Sequence, residues 1–157
     1  MLYLFIFCGC AGAGKTTLSK VLTNEYQAIR LSFDEMECFK YSELLPHIIK
    51  SIRENKNVVV DALFSRTSQR KLILEATKGI DCKRILIYMN TPLGECIRRN
   101  VQRPNPLPEF MIRDIYNSVE FPTLDEGWDE IIVINNDEDI KNLENNIGNN
   151  IENLNLL

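Results

Sequence analysis

Apolar residues along the chain alternate between short unbroken runs and longer stripes spaced three to four residues apart. The run from Leu2 to Cys8 predicts a central strand buried on both faces. From Lys15, the stripe Leu18, Val21, Leu22 and Tyr26 predicts a helix, and residues 28–31 then read as a short second strand that delivers Ser32, Phe33 and Asp34 at its carboxyl end. Leu44, Leu45, Ile48, Ile49 and Ile52 make one face of a helix over about 42–54, and Val58, Val59 and Val60 predict a third strand over 57–61 that ends in Asp61. A helix over 67–77, a strand over 83–89 and a helix over 91–102 follow, with Pro92 in the first turn, where proline is tolerated. The prolines at 104, 106 and 108 break the pattern, helical spacing resumes over 109–120, and residues 130–134 supply a fifth strand. Ile140, Leu143, Ile147, Ile151 and Leu154 then form one stripe of a C-terminal helix over about 137–157. Strands alternating with helices at this spacing predict an α/β fold, a five-stranded parallel sheet with helices on both faces and right-handed crossovers.

At 157 residues the chain has the size of one domain, and residues 1–157 are read as such, with a small lid over about 103–120. The formal charge of -4 argues against a protein that coats nucleic acid by counterion release. Five cysteines without paired metal spacing suggest neither a disulfide framework nor a zinc site, and a reducing cytoplasm fits them best. The apolar start lacks a basic segment before it, and no stretch approaches the roughly 20 apolar residues that span a bilayer, so no membrane association is expected.

Chemistry enters at the end of the first predicted strand. Gly9-Cys-Ala-Gly12-Ala13-Gly14-Lys15-Thr16 satisfies GxxxxGK[ST] after a strand and at the opening of a helix, the context that a phosphate-binding loop requires. Glycines allow close backbone approach, so successive N–H groups of Gly9, Gly12, Ala13 and Gly14 would cradle phosphate oxygens at the positive end of the helix. Lys15 would hold the β- and γ-phosphates, the Thr16 hydroxyl would ligate Mg2+, and Thr17 follows in the same turn. A plain glycine-rich turn does not explain three glycines at a helix start, each costing about 1 kcal/mol relative to alanine. Motif and strand order together predict a P-loop NTPase fold that binds a nucleoside triphosphate. Asp61, ending a β-branched strand, reads either as an acid that holds magnesium through water or orients a loop, or as a cap.

The loop, the strand-end acid in Leu31-Ser-Phe-Asp34, the segment from Val58 to Arg66 with Arg70, the stretch from Arg98 to Arg103, and Glu126-Gly-Trp-Asp-Glu-Ile131 together resemble the 5′-hydroxyl polynucleotide kinase group of small P-loop kinases. The resemblance reaches to about Ile134, and the loop is its one highly specific mark. It implies an ATP- and magnesium-dependent kinase that moves the γ-phosphoryl group to a hydroxyl acceptor, with the general base at Asp34 and a lid arginine at Arg103. A carboxylate in reach of the acceptor hydroxyl suits that chemistry, and an arginine suits a transferring phosphoryl group. Asp34 also reads as a turn or cap residue, and Glu35 and Glu37 as solvated neighbours, either of which could substitute for it if the backbone register differs by a residue. Of Arg98 and Arg99, one can share the face of Arg103, and Arg99 is taken as the nucleotide contact.

The chain departs from that group where the acid is followed three residues later by an arginine that grips the acceptor's phosphate: here the residue is Glu37. Either the acceptor lacks a phosphate there, or Arg30, Arg66 or Arg70 supplies the grip. Nucleosides, other small metabolites and a regulatory ATPase therefore stand beside a polynucleotide 5′ end as readings. Trp128 and the lone His47 read as core and packed residues, and the C-terminal stripe packs on the sheet or pairs subunits in a homo-oligomer.

Overall fold

The computed structural model describes residues 1–10 and 12–155, with side chains through residue 146. Strands β1 (Tyr3–Gly9), β2 (Ile29–Ser32), β3 (Val58–Leu63), β4 (Lys83–Met89) and β5 (Glu130–Ile134) form one sheet in the order β2-β3-β1-β4-β5. All four neighbouring pairs are parallel. The central strand β1 is therefore covered on both faces, which is why its sequence is apolar without interruption.

Alternation along each strand divides the core in two. Leu4, Ile6 and Cys8 of β1 join Val58, Val60 and Leu86 beneath helices α2 (Leu45–Arg53) and α3 (Thr67–Ala76), through Ile48, Ile52 and Ile73. Phe5 and Phe7 join Val59, Ile85 and Ile87 on the other face, against Leu18 and Leu22 of α1 (Lys15–Glu25), Cys96 of α4 (Leu93–Val101) and Ile112 of α5 (Glu109–Asn117). Helix α6 (Asp137–Asn155) docks on this second face through Ile140 and Leu143. Ile147, Ile151 and Leu154, the rest of the predicted stripe, lie outside the described side chains.

The predicted elements are present with small shifts. The helix expected from residue 42 begins as a 3-10 turn, Tyr41–Leu44, and becomes α-helical at Leu45, with Pro46 in its first turn. Strand β3 runs two residues beyond Asp61, so this acid sits within the strand instead of ending it. There the β1–β3 register shifts: Ile6 faces Val60, and Phe7 faces Leu63. His47 is exposed on α2, not packed. Trp128 is buried, as expected, and donates its ring N–H to Glu126 Oε2 at 2.9 Å.

One polar interaction inside the first core had no local sequence signal. Arg70 on α3 is fully buried. It donates Nε and Nη2 to the two carboxylate oxygens of Glu126 at 2.9 and 2.8 Å, and Nη1 to the Phe64 carbonyl at 2.9 Å. The pair ties α3 to the turn that precedes β5. Removing one partner leaves a buried charge unpaired, so Glu126→Leu is expected to lower stability by roughly 3–5 kcal/mol in urea denaturation. A loss below about 1 kcal/mol, the range of exposed pairs, would mean that the pair is not structural.

Candidate functional site

At the carboxyl end of β1 the chain leaves the sheet through tight contacts that exclude side chains. Gly12 has φ +83, and a Cβ there would stand 2.7 Å from the Cys96 carbonyl oxygen, closer than real Cβ contacts come. Helix α4 thus backs the loop directly. Gly14 caps α1 at φ +91 with no side-chain cap hydrogen bond, so among the described residues no side chain accepts from the first-turn N–H groups of α1. Free donors at a helix start, with the macrodipole behind them, are an anion site. Ala13 is buried beneath the loop, while Thr16 and Thr17 are exposed.

Lys15 and Asp61 meet through the alternation of β3. Val58 and Val60 face α2 and α3, so Val59 and Asp61 face α1. Lys15 Nζ donates to Asp61 Oδ1, while Asp61 Oδ2 accepts from Ser19 Oγ at 2.9 Å and from Arg30 Nη2. Arg30 Nη1 donates to both oxygens of Glu35, at 2.9 and 3.0 Å, and Nε to Ser19 Oγ at 3.1 Å. Burial pushes the Asp61 carboxyl up, but the Lys15 cation and the hydrogen bonds from Lys15, Arg30 and Ser19 outweigh it and hold it below its ordinary value. Both carboxylate oxygens are committed, and among the described residues no cluster of three or more His, Cys, Asp or Glu side chains has metal-binding geometry. Glu35, expected as a solvated neighbour, is the outer partner of Arg30.

Asp34 lies in the turn after β2. Backbone hydrogen bonds from Met36 to Ser32 (3.0 Å), Glu37 to Asp34 (3.2 Å) and Cys38 to Phe33 (3.1 Å) close that turn. No helix starts at Asp34, so its side chain caps none; it is exposed and, among the described residues, makes no hydrogen bond or ion pair. Of the three arginines considered for gripping a phosphate, Arg70 is spent on Glu126 and Arg30 on Asp61 and Glu35. Arg66, exposed just before α3, has no ion pair among the described residues.

Arg99, the expected nucleotide contact, and Arg103, the expected lid arginine, are placed differently. Arg99 is part-buried on α4, bonds Glu95 at 2.9 Å, and holds Nη1 over the loop, 3.1 Å from where a Cβ on Gly14 would be. It also lines a cavity of about 310 Å³ with Ala13, Thr91, Pro92, Asn135 and Ile140. Arg98 pairs with Glu95 on the surface. Arg103 lies beyond α4 in the exposed proline-rich turn. That turn is pinned at its base by buried Asn100, whose side chain donates to the Leu107 carbonyl at 2.7 Å and accepts from the Leu107 N–H at 3.0 Å. Sequence reasoning missed the Asn100 clamp because an asparagine in a helix has no periodic signature.

The model of a family described as an AAA domain matches residues 4–122, and the chain belongs to that family. The L-seryl-tRNA(Sec) kinase of Methanococcus maripaludis is 28% identical over 143 residues, which cover 80% of this chain and 56% of the relative. The chain thus spans little more than half of that protein. A crystal structure of a fungal RNA kinase superposes with a TM-score of 0.68 at 19% identity, covering 85% of this chain and 73% of the other. The APS kinase CysC of Mycobacterium tuberculosis, solved with AMPPNP and APS, superposes with a TM-score of 0.70 at 18% identity, covering 96% and 98%. The fold is that of the small P-loop kinases, as the sequence resemblance implied. No helix among the described residues is long and apolar enough to cross a membrane.

Two measurements check the geometry. Gly12→Ala is expected to cost roughly 1–3 kcal/mol of stability, whereas Gly94→Ala, with nothing within 4 Å of the added carbon, costs nothing; equal effects would show that the loop is not held against α4. Asp61 has a depressed folded-state value, so its ion pairs contribute fully above the ordinary aspartate value of about 4 and are lost as pH falls through the lower, folded value. The stability gap between wild type and Asp61→Asn should therefore stay constant from about pH 5 to 8 and close only in acid. A gap that closes as pH rises would contradict the ion-pair assignment.

Proposed function

We propose that the protein transfers the γ-phosphoryl group of ATP to a hydroxyl acceptor, with the 5′-hydroxyl end of a polynucleotide as the favoured acceptor. The observation that carries this reading is the presence of two features at the carboxyl-terminal end of the sheet. One is an uncapped helix start with Lys15 beside it at the end of β1, and the other is the uncommitted carboxylate of Asp34 in a closed turn at the end of β2. Donor and acceptor ends of a phosphoryl transfer need these two groups on the same side of the sheet. The names of two relatives, a kinase of seryl-tRNA and an RNA kinase, support an acceptor hydroxyl carried on RNA.

In this reading the first-turn N–H groups of α1 and Lys15 hold the phosphates, and Asp34 takes the proton of the attacking hydroxyl. Arg99, already over the loop, faces the nucleotide, and Arg103 on its pinned turn approaches the transferring group from the lid side. Thr16, exposed at the loop, would hold magnesium, with Asp61 behind it. The metal, when bound, would neutralise charge developing on the phosphate oxygens. Arg66 is the side chain left to meet a phosphate of the acceptor in place of Glu37.

A second reading, a small hydroxyl compound as acceptor, draws on Glu37. This residue occupies a left-handed backbone position at φ 53, and its negative side chain repels an acceptor phosphate.

The test is label transfer from γ-labelled ATP to 5′-hydroxyl DNA, 5′-hydroxyl RNA and nucleosides. Transfer to an oligonucleotide supports the first reading and transfer only to nucleosides the second, while ADP release at a catalytic rate with no labelled acceptor refutes both. With the acceptor in hand, Asp34→Asn should lower turnover by about 10²–10⁴-fold with ATP affinity unchanged. A loss confined to ATP binding would remove Asp34 from the role of base.

A further inference from the structure

The loop lysine has a cost built into its surroundings. Asp61 is 2% exposed, and Lys15 is one of its two cationic partners. Lys15 has to leave Asp61 if it is to reach the phosphates of a nucleotide. A buried carboxylate stripped of its only cation is strongly unfavourable, so a lysine that alone neutralised Asp61 would be held in place and unavailable to the ligand.

We propose that Arg30 is the positioning residue that frees Lys15: it neutralises Asp61 on the far oxygen, so that Lys15 can exchange this carboxylate for a triphosphate. The proposal rests on the reading that the loop binds ATP and assigns a role to a residue outside the loop motif. Arg30 is built for the task. On edge strand β2 it points to the α1 face because its neighbour Leu31 points to the other. Each of its donor nitrogens is committed, Nε to Ser19, Nη1 to Glu35 and Nη2 to Asp61. A guanidinium keeps its charge at every accessible pH, and its planar fork spans three partners that a single ammonium cannot reach together. Glu35 holds the outer side of the fork and keeps Arg30 on Asp61 when Lys15 is elsewhere.

Formal charges fit an exchange. With Lys15 in place, Lys15 and Arg30 balance Asp61 and Glu35. After Lys15 moves, Arg30 still pairs both Asp61 and Glu35, and the cluster is left with one net negative charge, which Asp61 no longer bears alone. A purely structural Arg30 would behave differently, because its loss would then lower the thermal transition and leave the ATP affinity of the folded protein unchanged.

That difference is measurable by titrating a fluorescent ATP analogue, with no acceptor required, into wild type, Arg30→Met, Asp61→Asn and the double variant, each first checked for a cooperative thermal transition. Arg30→Met is expected to weaken ATP binding tenfold or more in the wild-type background. In the Asp61→Asn background, where nothing holds Lys15 back, it should change affinity less than twofold. If Arg30→Met has the same effect in both backgrounds, or none in either, the proposal is overturned. Should Arg30→Met fail to fold, Arg30→Gln, which keeps hydrogen-bonding groups and removes the charge, takes its place in the same cycle. Lys15→Met separates this inference from the reading beneath it: undiminished ATP affinity in that variant would remove the ATP site itself, whereas lost affinity together with a flat Arg30 cycle would remove only the exchange role.

Discussion

Asp61 is a carboxylate buried within the interior strand β3, and a charge in that position has to be neutralised where it stands. Strand alternation sends it toward α1, where Lys15 and Ser19 meet it, and β2 brings Arg30 to its other oxygen. Helix α1, the phosphate loop and the edge strand are thereby fixed to one side chain. The order β2-β3-β1-β4-β5 makes this unavoidable, because it seats β3 between the strand that carries Arg30 and the strand that feeds the loop.

Much of this was legible in the sequence. The apolar run of β1, the valines of β3 and the GxxxxGK[ST] motif each carry a local signal, a period or a spacing, and the structure places all three where those signals put them. Boundaries slipped where local rules compete. The 3-10 start at Tyr41 precedes an α-helix with Pro46 in its first turn, and β3 continues past Asp61 because Ala62 and Leu63 still pack, although an acid looked like a strand end.

Long-range polar partnerships were not legible, for a physical reason. Arg70 and Glu126 are 56 residues apart, and Arg30 and Asp61 are 31 apart. Nothing in the local composition of either partner announces the other. Arg70 and Arg30 read from sequence as spare cations that could grip a phosphate, and folding commits both to carboxylates. Arg99 and Arg103 illustrate the converse: both belong to one short stretch, yet the end of α4 at Val101 leaves one over the loop and the other on an exposed turn.

The clamp between Asn100 and Leu107 imitates a pair of peptide groups in a sheet ladder, with one donor and one acceptor on each side. A side chain has thus been used to close a ring of backbone whose tip, Pro104-Asn105-Pro106, is exposed. Such a closed ring isolates its tip from its base. A change of length or an inserted tag at the tip is expected to leave the shoulders at a constant separation and the sheet and the phosphate loop undisturbed.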